Sequence, residues 1–188
     1  MNMLNDFILA GQKDIQVVIF SLNEEEYAVP ISFVQEIINP LVFTKIPKSP
    51  FFVEGVINLR WHIIPVISGE KRFNLEFKDN YDSNSTKIIV VKLEDDTIGL
   101  IVDNVSEVVH INVDDIEPPP VDPNDSTEII WGVWKYQKRL IILLDPRKFM
   151  NFEETEDLRD FNQVSDMIKK TKKLSKAEKK PKAVKIET

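Results

Sequence analysis

The chain has 188 residues, 43% of them hydrophobic, with 24 Lys and Arg against 31 Asp and Glu, two histidines and no cysteine. That length supports one compact body with a tail and is too short for several independent domains, while the missing cysteines exclude disulfides, thiolate metal centres and a cysteine nucleophile. Charge is uneven: residues 1–150 carry 14 basic and 23 acidic side chains and residues 151–188 carry 10 and 8, so the acidic body argues against a nucleic-acid-binding surface, which needs Lys and Arg against phosphate.

The first residues, MNMLNDFILAGQKD, hold a short apolar run and no basic leader, so neither a signal peptide nor a membrane span is expected, and a cytoplasmic protein is. Short β-branched runs then follow: Ile15 to Leu22, Glu26 to Val29, Gly55 to Leu59, Ile63 to Ile67, Lys87 to Leu93, Ile98 to Val102, Glu107 to Ile111, Ile129 to Tyr136 and Arg139 to Leu144. Each reads as a strand, with turn residues such as Asn23-Glu24-Glu25 and Pro118-Pro119-Pro120 between them. Many short strands at this spacing suggest barrels, because closure removes aggregation-prone edges. Residues 30–38 break the pattern. Pro30 can open a helix, and Ile31, Val34 and Ile38 would then share one face, so a short helix is expected there.

Beyond the strands, Leu158, Phe161, Val164 and Ile168 recur at helical spacing behind acidic Glu153, Glu154, Glu156 and Asp157, which predicts an amphipathic C-terminal helix over 151–168. Residues 169–188 are lysine-rich and nearly free of apolar side chains, the composition of a disordered tail. Such a tail serves as a solvated terminus, or makes weak electrostatic contact with anionic membrane or nucleic acid.

Catalytic patterns are scarce. His62 and His110 lie in strand-like runs without a local acid partner, the setting of structural histidines. Asp95-Asp96 and Asp114-Asp115 are adjacent carboxylates, which on a strand point to opposite faces, so no metal site is expected. With five glycines and no phosphate-cradling, nucleophile-elbow or zinc-binding motif, neither cofactor nor enzyme activity is expected.

Four stretches in order carry a resemblance: QVVIFSLNEEEYAVPISFVQEII, IPKSPFFVEGVINLRWHIIPVI, KIIVVKLEDDTIGLIVDNVSEVVHI and IIWGVWKYQKRLIILLDPRKFM. Together they make residues 14–150 resemble the CheW-type adaptors of bacterial chemotaxis, which couple methyl-accepting chemoreceptors to the histidine kinase CheA by binding alone. The resemblance implies an all-β fold of two small five-stranded SH3-like barrels sharing a core. It also implies two partners, receptor cytoplasmic tips and the CheA regulatory domain. Positions matching the family's receptor-facing surface are Val34, Glu36, Gly55, Arg60, Ile88 and Val105. Taken alone, these residues fit other roles: the apolar ones suit a core, Arg60 an internal ion pair, Gly55 a bulge.

Two departures from the family pattern stand out. A glycine usually follows the arginine, and Trp61 takes its place here; an Asp-Leu-Arg run usually follows the second apolar strand, and Ser68-Gly69-Glu70 takes its place. Glycine there accommodates φ > 0, so Trp61 implies either a differently built turn or a side chain facing a partner, as an interface anchor. Glu70 in place of arginine reverses a charge, which implies altered partner choice. The competing reading from another class is a small β-barrel nucleic-acid binder anchored by its lysine tail.

Overall fold

The computed structural model describes residues 3–76, 81–82, 84–93, 96–119 and 129–149. The expected C-terminal helix over 151–168 and the tail over 169–188 lie outside the described residues. In chain order the elements are helix α1 (Met3–Leu9), β1 (Asp14–Leu22), β2 (Glu25–Pro30), β3 (Val34–Ile38), β4 (Val53–Leu59), β5 (His62–Ser68), the short helix α2 (Gly69–Arg72), β6 (Lys87–Lys92), β7 (Thr97–Val102), β8 (Asn104–Asn112), β9 (Ile116–Glu117), β10 (Ile130–Tyr136) and β11 (Arg139–Leu144).

The strands form two sheets, of order β8-β1-β2-β11-β10-β9 and β3-β6-β7-β5-β4. The fold is all-β with two small SH3-like barrels, as expected, the first enlarged by the two-residue β9. The first barrel is discontinuous in sequence, because the second, made of the consecutive strands β3 to β7, is inserted between β2 and β8. The β1–β2 hairpin joins β10 and β11 through the parallel pair β2–β11, and the β4–β5 hairpin joins β6 and β7 through the parallel pair β5–β7.

The halves of the chain repeat one plan. Gly55 and Gly132, Arg60-Trp61 and Gln137-Lys138, and Ser68 and Asp145 are each 77 positions apart. The members of each pair do equivalent things: the strand register slips just before either glycine, each dipeptide turns a hairpin with φ > 0 at both residues, and Ser68 and Asp145 each accept a backbone N–H at a helical turn.

Buried side chains explain the near-continuous apolar runs. Along β1, Val17 and Ile19 enter the interior of the first barrel with Ala28, Ile111, Trp131, Ile141 and Leu143. The alternate residues Val18, Phe20 and Leu22 enter a central cluster with Tyr27, Val53, Ile67, Ile89, Leu100 and Phe149, drawn from both sheets. On β6, Ile88 and Val90 fill the second barrel beside Ile57, Ile64, Val66 and Ile101, while Ile89 and Val91 join the central cluster. A strand buried on both faces has no polar side, which removes the alternation usual in a half-buried strand.

Two elements differ from expectation. Residues 30–38 are not a helix: a single 3₁₀ turn at Ile31–Phe33 gives way to extended β3, which pairs antiparallel with β6. Three of its five residues, Val34, Ile37 and Ile38, are β-branched, and a sheet partner outweighs a weak helical pattern. Conversely α1, too short to signal itself in sequence, closes the first barrel with buried Met3 and with Phe7, whose ring lies 5.7 Å from that of Trp131. Asp6 of this helix accepts from Arg147 at 2.8 Å.

Candidate interaction surface

Arg60 and Glu36 are 24 positions apart and meet directly, Arg60 Nη2 donating to Glu36 Oε2 at 3.0 Å. The contact spans the gap between β3 and the tip of the β4–β5 hairpin, the two ends of the five-stranded sheet. Its members are unequal, with side-chain exposures of 75% for Arg60 and 18% for Glu36. Glu36 is thus a half-sheltered acceptor whose second oxygen, Oε1, is buried without a hydrogen-bond partner among the described residues. Arg60 projects its remaining donors into solvent, where a guanidinium can engage a carboxylate bidentately.

The hairpin tip is a two-residue turn with φ of 47° at Arg60 and 71° at Trp61. Both residues take the left-handed conformation of a tight β-hairpin turn, so the turn keeps its shape without glycine. Trp61 is 87% exposed. The side chain stands free of its own fold. His62 Nδ1 lies 3.1 Å from the Arg60 carbonyl oxygen, which further ties down the tip.

The other residues matched to the surface are placed less openly. Val34 and Val105, on β3 and β8, are partly buried and pack against the central cluster. Gly55 is buried at the β4 bulge with φ of 148°, and a Cβ there would lie 2.5 Å from the Thr44 carbonyl oxygen. The backbone that approaches Gly55 closely is therefore the chain's own. Ile88 is 0% exposed inside the second barrel, which corrects its expected place on a surface: it has no side-chain area to offer a partner. Its β-branched shape on a strand buried on both faces suits core and surface readings alike, so sequence did not separate them.

Glu70 needs a correction too. It is 3% exposed in the first turn of α2, so the reversed charge does not face outward. Ser68 caps that turn by accepting from the Lys71 N–H, and Gly69 is required because a Cβ would lie 2.8 Å from Leu22 Cδ2. The variant segment is a structural joint between the barrels.

Sequence reasoning missed an apolar segment bridged to β4. Thr44 exchanges two backbone hydrogen bonds with Val56, each 2.9 Å, in an isolated antiparallel bridge to β4. Phe43 packs against the second barrel's interior, while Val42 is 95% exposed. Lying outside any strand, this segment gave no periodic signal.

No cluster of three or more metal-ligating side chains occurs among the described residues. His62 and His110 are exposed; His110 Nε2 lies 2.9 Å from Gln16 Nε2. Among the described residues no helix is long and apolar enough to cross a membrane.

Comparison with known proteins agrees with this geometry. A family model described as CheW-like domain matches residues 16–154. The chain is 34% identical over 134 residues to a protein named chemotaxis protein CheW from Helicobacter pylori, covering 71% of this chain and 80% of that one. A protein of the same name from Treponema pallidum is 33% identical over 151 residues, covering 79% and 89%. Among solved structures, the scaffolding protein TtCheW from Thermoanaerobacter tengcongensis aligns with a TM-score of 0.67 at 38% identity, covering 76% of this chain and 91% of that chain. The chain belongs to the CheW-like domain family.

Proposed function

We propose that this chain is a chemotaxis adaptor that couples methyl-accepting chemoreceptors to the histidine kinase CheA by protein binding, without catalysis. The observation that carries the reading is the Arg60–Glu36 pair: two of the residues matched to a receptor-facing surface, distant in sequence, meet at 3.0 Å beside an exposed hairpin tip. Arg60 is placed to be shared between its own Glu36 and a receptor carboxylate. Val34 and Val105, half-buried against the central core, supply flanking apolar area, while Gly55 and Ile88 support this surface from beneath. The CheA regulatory domain is the second partner, and the reading needs neither nucleotide nor metal.

The test is capture of the chain by a receptor cytoplasmic fragment. Arg60→Glu should keep the fold, because an exposed ion pair contributes less than about 1 kcal/mol. It should weaken receptor binding by ~2–5 kcal/mol, the range for losing a charged partner across an interface. A folded Arg60→Glu protein that binds as tightly as the parent would contradict the assignment of this surface.

A further inference from the structure

The 77-residue repeat supplies an internal control for the exposed tryptophan. Gln137 and Lys138 turn the β10–β11 hairpin at φ of 47° and 69°, within 2° of the values at Arg60 and Trp61. A tight turn in this fold is therefore made adequately by two polar residues. Trp61 gains nothing from its own fold in exchange for a left-handed conformation that a bulky side chain adopts at a cost. It is 87% exposed, whereas Trp131 and Trp134 are buried in the first barrel.

Around it the surface has a definite chemistry. Arg60 precedes it with donors free in solvent. An aromatic knob on a tight turn, preceded by one exposed cation, fits an apolar recess with a carboxylate at its rim.

We propose that Trp61 is a specificity-determining residue of the receptor-facing surface, seated in an apolar recess of the chemoreceptor tip when Arg60 engages a receptor carboxylate. The assignment rests on the proposed adaptor function and on its choice of surface. Continuity selects the occupant: Trp61 shares its turn with Arg60, and a partner reaching the guanidinium covers the indole. A rigid turn holds the ring in place, so little freedom is lost on binding, which is the condition under which a tryptophan anchor dominates an interface.

The fluorescence of the protein offers a direct test. All three tryptophans lie in described residues and only Trp61 is open to solvent, so acrylamide quenching reports chiefly on it. A tryptophan-free receptor cytoplasmic fragment should protect the quenchable emission and shift it to the blue. Trp61→Gly, which suits the φ > 0 turn and so keeps the fold, should bind the fragment about thirtyfold more weakly, the loss of a hot-spot side chain.

If Arg60→Glu loses binding while Trp61→Gly binds as tightly as the parent and the parent's emission stays quenchable, the proposal for Trp61 fails and the adaptor reading stands. If the unaltered chain does not bind the fragment, both fail together. Protection of Trp61 at high protein concentration without receptor would assign the indole to a second copy of the chain and overturn the proposal.

Discussion

Arg60, Glu36, Gly55 and Ile88 were grouped by one resemblance and do two different physical jobs. Arg60 and Glu36 form the pair at the seam of the second barrel, whereas Gly55 and Ile88 keep that barrel closed. The distinction predicts opposite phenotypes. Gly55→Ala should lower stability by about 2 kcal/mol or more, because the added methyl meets the Thr44 carbonyl at 2.5 Å in a conformation with φ of 148°. Ile88→Ala should cost ~2–5 kcal/mol through the cavity it leaves. Urea unfolding midpoints would show both losses, against little change for Arg60→Glu.

Two tyrosines make a pH-dependent statement at the same scale. Burial pushes the pKa of the Tyr27 hydroxyl above its ordinary value, reinforced by its hydrogen bond to Glu25. Burial does the same to Tyr81, whose hydroxyl donates to Glu54 Oε1 at 3.0 Å; the nearby carboxylates add to the effect and a Ser68 contact partly offsets it. Unfolded tyrosines lose their protons near pH ~10. The folded state therefore holds protons that the unfolded state has released, and stability should be intact below that pH and fall as pH rises above it. Ultraviolet titration near the phenolate band should show these two hydroxyls still protonated where Tyr27→Phe, Tyr81→Phe protein shows no such retained population.

At the scale of elements, sequence patterns were informative wherever burial was simple. The central strands β1, β6, β7 and β10 read as continuous apolar runs because both faces are largely covered. For the same reason no pattern told which alternate residues fill a barrel and which fill the central cluster, and Ile88 was misplaced on this account. Pro30 and the Ile31, Val34, Ile38 spacing suggested a helix, but the partner that makes residues 34–38 a strand is β6, more than 45 positions away. Helix α1 is seven residues long, and its signal is the fit of Met3 and Phe7 against Trp131 rather than any repeat. It should therefore matter for stability. Removing residues 1–9 should lower the melting temperature by several degrees as the Trp131 end of the first barrel is uncovered and the Asp6–Arg147 ion pair is lost, which scanning calorimetry would measure.

The whole molecule is two barrels that share one core, the second inserted between β2 and β8 of the first, and this arrangement bears on its proposed work. Phe20, Leu22 and Tyr27 from the first sheet and Ile67, Ile89 and Leu100 from the second share one cluster, so the two barrels move as a unit. A protein that binds two partners at separate places gains from such rigidity, since the geometry between them is then fixed. The barrel architecture was legible in strand number and spacing; the insertion of the second barrel into the first was not, because it depends on the long-range pairs β1–β8 and β2–β11, which leave no local mark. The Arg60–Glu36 meeting was hidden for the same reason.

The central claim, that the chain bridges receptor and kinase, is tested most directly by co-sedimentation. Receptor cytoplasmic fragments arrayed on vesicles would be mixed with the isolated CheA regulatory domain, with and without the chain, in the absence of nucleotide and metal. The account predicts that the regulatory domain pellets with the receptors in proportion to added chain, and that Arg60→Glu abolishes this while still binding the regulatory domain in solution. Sedimentation of the regulatory domain that is unchanged by the chain would contradict it.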